Sequence, residues 1–185
     1  PGGPFAEPYL RVVYRGSGLE EVARETGAEL NYDTRVTRVS LPHGRLVKSL
    51  ELSQYALEAD VIISLAKLKT HGFMGFTGAT KNLFGLIPGV SKVTYHARLR
   101  SADQFAEMLL DLLEFASPAF SLMDGIIGMD GDGPSAGTPY PAGLLLCSAD
   151  AVALDLVATH LAGMKLESVY PLRAARRRGL TSGRV

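Results

Sequence analysis

The chain has 185 residues with 19 basic and 19 acidic side chains, a formal charge of zero at neutral pH, which excludes the clustered basic excess of a nucleic-acid binder. An apolar share of 46% against 21% charged excludes a disordered chain and fits one globular domain over 1–185. A lone Cys147 excludes an intramolecular disulfide and an iron–sulfur cluster ligated wholly by this chain.

No apolar run approaches the roughly 18 residues of a spanning helix, and no signal segment opens the chain. A cytoplasmic protein without a membrane contact is therefore expected. Pro1-Gly-Gly-Pro4, with no initiating Met, reads as a loop cut from a longer parent. Ser17-Gly-Leu-Glu20 spells a capping box ahead of a helix whose face carries Leu19, Val22 and Ala23, with Gly27 as its stop. Three strand-like stretches follow, 29–32, 35–40 and 46–52, and Pro42-His43-Gly44 suits a hairpin turn between the last two.

Val61 to Ala66 is an almost wholly apolar run, expected as a central strand covered on both faces. The stretch from Lys67 to His96 shows little regular periodicity. Ser101-Ala-Asp-Gln104 spells a second capping box and leads into Phe105, Met108, Leu109, Leu112 and Leu113, an amphipathic helical stripe. Ala119 to Met123 and Leu144 to Cys147 read as two further buried strands around a loop, Asp130 to Gly137. Helices over 151–161 and 168–177 close the chain. Apolar strands alternating with amphipathic helices predict an α/β fold with a mixed, mainly parallel sheet flanked by helices.

The chemistry concentrates in Lys67-Leu-Lys-Thr-His71 and the glycine-rich run behind it, which holds Gly78, Lys81 and Asn82 and extends to His96. Five glycines, at 72, 75, 78, 85 and 89, fall in this segment. Glycine lets backbone amides approach a ligand closely, and Lys67, Lys69 and Lys81 add positive charge, a combination suited to phosphate or carboxylate. His71 and His96 suit proton transfer or metal ligation. The spacing fits neither a Walker A loop nor the dinucleotide-binding glycine pattern. Asp130-Gly-Asp-Gly133 opens like a calcium loop, but Pro134 and Pro141 occupy positions that an EF-hand reserves for ligands. Asp124 and Asp150 end two strands and are expected to face the lysines across a cleft. The C-terminal cluster Arg173, Arg176, Arg177 and Arg178 reads as a solvated helix face, and His43 and His160 as structural or exposed.

Ala59 to His71, Thr77-Gly-Ala-Thr-Lys-Asn-Leu-Phe-Gly85, Asp124-Gly125, the Gly133–Gly137 loop and Ser148 to Asp155 together resemble the family catalogued as domain of unknown function 362. The resemblance covers essentially the whole chain. It implies an additional strand–helix unit ahead of Pro1, so the chain reads as a fragment. Many relatives carry a ferredoxin-type cysteine-rich module, which this chain departs from. His71 to Lys81, Pro88-Gly-Val90 and His96 are also similar to a motif of the nickel-pincer lactate racemase family, although the segment between Lys81 and His96 is out of register with it. That similarity implies an acid/base role for His71, a tether to a nucleotide-type cofactor for Lys81 and a metal ligand in His96.

The expected function is binding of a small anionic molecule or metal-containing cofactor. Lys67, Lys69, Gly78, Asn82, Asp124 and Asp150 would hold it, and His71, Lys81 and His96 would supply acid/base catalysis. The alternative is a non-catalytic module of an iron–sulfur electron-transfer protein, with the cluster on a ferredoxin-type module or partner.

Overall fold

The computed structural model describes residues 6–185, the side chain of Val90 excepted; the Pro1–Pro4 stretch lies outside the described residues. Two short helices, α1 (Glu7–Gly16) and α2 (Leu19–Thr26), come first. The capping box expected at Ser17–Glu20 does not form. Gly18 takes the N-cap position itself with φ 76°. Ser17 Oγ instead donates to Tyr14 O, and Glu20 pairs with Arg15 at 3.1 Å. Gly27 ends α2 in the left-handed region, as the sequence suggests. Residues 29–32 form no strand.

β1 (Val36–Ser40) and β2 (Ser49–Ser53) make the expected antiparallel hairpin. After α3 (Gln54–Glu58) the main sheet begins with β3 (Ile63–His71) and β4 (Gly75–Thr77). The segment that looked irregular in sequence then folds into α4 (Ala79–Asn82), a tight 3-10 turn over Leu83–Leu86, and α5 (Gly89–Arg98). α6 (Ala102–Ala116) is the long amphipathic helix; its N-cap Ser101 is extended but makes no side-chain cap bond, so the second capping box is also unformed. β5 (Phe120–Asp130), β6 (Thr138–Tyr140), β7 (Leu144–Ser148), α7 (Ala151–Leu161) and α8 (Tyr170–Arg178) complete the chain.

The fold is α/β, with a mixed sheet flanked by helices. β3 and β5 pair in parallel, whereas β4 pairs antiparallel with β3, and β6 and β7 antiparallel with β5. Antiparallel pairings thus outnumber the parallel one that was expected to dominate. Connection length explains this. The stretch between β3 and β5 is long enough to hold α4, α5 and α6 and so makes a crossover, while the links into β4, β6 and β7 are short and permit only reversal.

α6 lies between two cores, which is why it is buried on more than its periodic stripe. Ala106 and Leu110 pack with Ala66, Leu68 and Met123 of the sheet and with α7 and α8. Phe105, Met108, Leu109 and Leu112 pack with Leu50 and Leu52 of the hairpin and with Met74, Leu83, Phe84 and Ile87. Within the Arg cluster on α8, Arg176 and Arg177 are exposed as expected, whereas Arg178 is buried. Arg178, with its side chain 1% exposed, bonds Glu107, Asp111 and Glu114 of α6, and Arg173 and Arg177 both reach Asp103. Asp111 in turn accepts the amides of Arg45, Leu46 and Val47, each at 2.8 Å. This buried carboxylate fastens the hairpin, α6 and α8 to one another.

One sheet face is uncovered among the described residues. Register places Ile63, Leu65 and Lys67 beside Phe120, Leu122 and Asp124, with Cys147 and Leu145 next on β7. Ile63 is 58%, Leu65 69% and Leu145 61% exposed. The strands expected to be covered on both faces are therefore covered on one. An apolar run reports the chemistry of both faces of a strand, not what lies against them.

Candidate functional site

β3 ends at His71, where the chain turns sharply into β4. The His71 Nδ1 atom accepts the backbone N–H groups of Phe73 and Met74 at 3.1 and 3.2 Å. A nitrogen that accepts carries no proton, so the neutral ring holds its proton on Nε2 and offers an N–H donor there. Burial pushes the His71 pKa down to about 4, helped by the charges of Lys81, Lys69 and His96. His71 is therefore a neutral hydrogen-bond donor across the physiological range.

Lys81 sits in the short α4, whose position is fixed from two directions. Asp155 of α7 accepts the amides of Ala79 and Thr80 at 2.6 and 3.0 Å. Asn82 Nδ2 donates to Ser64 Oγ and Leu65 O of β3, each at 3.0 Å. Gly78 permits the first of these anchors, because a Cβ there would stand 2.1 Å from Asp155 Oδ1. Asp155 is buried completely and its pKa rises to about 6, burial outweighing the amide bonds it accepts. The Lys81 pKa falls to about 8 through burial and the neighbouring charges of Lys69 and Lys92.

α5 adds Lys92 and His96, one turn apart on the same side. The His96 ring stacks on Phe105 at 4.5 Å with an 18° tilt and meets the edge of Phe84 at 5.6 Å. That aromatic contact desolvates the imidazole, and with Lys81 and Lys92 it lowers the His96 pKa. Lys92 Nζ lies 5.3 Å from the Phe84 ring centre, within cation–π range.

The loop from Asp130 to Gly137 reaches the same end of β3. Lys69 Nζ donates to Pro134 O at 3.3 Å, Thr70 Oγ1 to Gly131 O at 2.9 Å, and the Gly72 amide to Gly133 O at 3.0 Å. A Cβ on Gly133 would fall 2.0 Å from Thr70 O, so this docking requires glycine.

His71, Lys69, Lys81 and His96 thus come together as the sequence suggests, with Lys92 as a member it did not single out. Asn82 and Gly78 belong to the scaffold beneath Lys81. The remaining candidates are used elsewhere. Lys67 pairs with Asp124 at 2.7 Å on the uncovered sheet face, a pairing set by the parallel register of β3 and β5. Asp150 caps α7, its Oδ1 accepting the amides of Val152 and Ala153 at 2.8 and 3.0 Å. Asp155 was the member with the strongest hold on the site that sequence reasoning passed over; the signal was a glycine placed immediately before a polar turn, with a carboxylate four residues into a later helix.

The charges that shift His71, Lys81 and His96 all come from lysine and histidine. Among the described residues, no group of three or more His, Cys, Asp and Glu gathers in the manner of metal ligands. One His71 nitrogen is occupied by amides, and the charges of Lys81 and Lys69 act on its ring. Cys147 is exposed on β7. No helix among the described residues is long and apolar enough to cross a membrane.

A family model described as domain of unknown function (DUF362) matches residues 5–160. A thylakoid-associated protein of Synechocystis sp. is 39% identical over 132 residues, which cover 71% of this chain and 41% of that relative. The chain therefore spans about two-fifths of the length of the curated relative it matches. No solved structure matches it. With the family model covering most of the chain, from before α1 to the end of α7, the protein belongs to the DUF362 family.

Proposed function

We propose that the protein binds a small anionic ligand, carrying a phosphate or carboxylate, between Lys69, Lys81 and Lys92 with His71 and His96 beside them. The observation that carries this reading is the convergence of basic side chains at the end of β3, where the charges acting on His71, Lys81 and His96 come from lysine and histidine. Gathering like charges without a counter-charge costs free energy, because each ammonium raises the cost of its neighbour's proton. An anion would repay that cost, and partial burial would strengthen its attraction. His71 contributes a directional N–H to such a ligand without adding charge. A nucleotide-type or other phosphate-bearing cofactor belongs to the same chemical class.

Acid/base work, if the ligand is a substrate, divides unequally in this reading. His71 already has an acceptor nitrogen committed to two amides and serves as donor or electrophile. Lys81, its pKa lowered to about 8, is the group able to exchange a proton near neutrality.

Isothermal titration with inorganic phosphate at low ionic strength tests the reading. Saturable binding is expected, weakening at least tenfold in Lys69→Ala and in Lys81→Ala with melting temperatures within a few degrees of the parent. Absence of saturable binding by the parent protein, or undiminished binding by both variants, would overturn it.

A further inference from the structure

One member of the cluster is suited to more than charge neutralisation, and the inference about it rests on the anion-binding reading above. Lys69 and Lys92 flank Lys81 and already supply two positive charges. Lys69 is tied to the Pro134 carbonyl and Lys92 lies over the Phe84 ring. Lys81 Nζ has neither a hydrogen bond nor an ion pair with any described residue. Its backbone is nevertheless held on both sides, by Asp155 through the Ala79 and Thr80 amides and by Asn82 through β3. A lysine that is positioned, partly desolvated and near other cations, with no acceptor among the described residues, holds its proton weakly. With its pKa near 8, about a quarter of Lys81 is free amine at pH 7.5, roughly 200-fold more than for an ordinary lysine.

We infer that Lys81 is a nucleophilic amine that forms a Schiff base with a small anionic carbonyl compound, an aldehyde or 2-oxo acid bearing carboxylate or phosphate, whose charge rests between Lys69 and Lys92. The Lys81 Nζ lone pair attacks the carbonyl carbon while the C=O π pair moves to oxygen. One proton passes from nitrogen to that oxygen, giving a neutral carbinolamine, and the Nε2–H of His71 is the neutral donor available to the developing oxyanion. The C–O bond then breaks as the nitrogen lone pair forms C=N, the second nitrogen proton leaves with the oxygen, and one water is released. Nothing is oxidised or reduced, and no co-reactant is needed. Protonation of the imine nitrogen restores the charge that Lys81 gave up, and the neighbouring anion stabilises it.

The test traps the imine with cyanoborohydride, which delivers hydride to the imine carbon and leaves a stable secondary amine. The protein is incubated with glyoxylate, the smallest anionic aldehyde, and modified lysines are located by peptide mapping. Lys81 is expected to be labelled at least tenfold faster than Lys48, Lys67 or Lys165, with a rate that rises through a midpoint near pH 8, and inorganic phosphate should slow it. Propanal, of similar size but uncharged, should label Lys81 at least tenfold more slowly than glyoxylate. Labelling spread evenly over the lysines would overturn the inference, as would equal rates for the two aldehydes. If phosphate still binds in the titration while Lys81 stays unlabelled, the amine chemistry falls and the anion site stands. If phosphate does not bind at all, the anion reading itself falls.

Discussion

Three separate features keep His71 neutral: burial, the charges of nearby lysines, and two amides directed at Nδ1. Their consequence for stability has a definite sign. The unfolded ring takes up a proton near pH 6.5 and the folded ring only near 4, so the unfolded state binds more protons between those values. Stability is then lost as pH falls through that window, by about 3 kcal/mol for this group. His71→Gln removes the titration. In urea unfolding, the variant should gain on the parent by about 3 kcal/mol between pH 7.5 and pH 4; a constant difference across that range would contradict the account. Gly78 tests the scaffold at the same scale. Its replacement by Ala pushes a methyl group against Asp155 Oδ1, a buried carboxylate with no room to retreat. A loss of about 1–3 kcal/mol is expected, accompanied by weaker phosphate binding because α4 carries Lys81. The location of this cluster was legible in the sequence, since lysine, histidine and glycine crowd one short stretch after a strand. The partners of Asp124 and Asp150 were not. A carboxylate at a strand end looks the same whether it lines a cleft, meets a lysine across a parallel register, or caps the next helix.

Among the elements, α6 was the most legible, because its apolar period is uninterrupted and both cores need it. α5 was hidden for the opposite reason. Its sequence, Gly-Val-Ser-Lys-Val-Thr-Tyr-His-Ala-Arg, gives polar side chains to the face that carries Lys92 and His96, which leaves no apolar stripe to detect. The two capping boxes had the right residues at the right spacing but neither closed; at the first, a glycine able to adopt positive φ provided another way to begin the helix. α8 misled by composition alone. Its arginines looked solvated, yet Arg178 is enclosed by three carboxylates of α6, one of them holding three amides of the hairpin connection. Removing that guanidinium strands Asp111 as a buried, uncompensated charge, so Arg178→Ala should cost about 3–5 kcal/mol. Arg177, half exposed and paired at the rim, should cost about 1 kcal/mol or less on the same change. Equal losses in chemical denaturation would show that the α6–α8 junction is not organised by Arg178.

For the whole molecule, α/β alternation gave the class correctly, and connection length decided the strand directions. The uncovered face of β3, β5 and β7 lay beyond the reach of sequence, because an apolar strand between two apolar strands reads alike with one helical layer or two. The asymmetry has a direct consequence. Leu65→Thr, on the open face, should change stability by no more than about 0.5 kcal/mol. Leu68→Ala, three residues along the same strand and buried under the helices, should cost about 2–5 kcal/mol. Comparable losses at both positions would mean that the open face is covered in solution. The zero net charge also takes on a different meaning. Many of the ionic groups are paired within the fold, while Lys69, Lys81, His71 and His96 gather at the end of β3 in an otherwise neutral protein.

The claim that this centre receives an anion is tested most directly by following the ring resonances of the four histidines during titration with inorganic phosphate. The account predicts saturable shifts for His71 and His96, with a common midpoint, while His43 and His160 remain still. Four rings that stay unmoved, or that drift together in proportion to added salt, would contradict it.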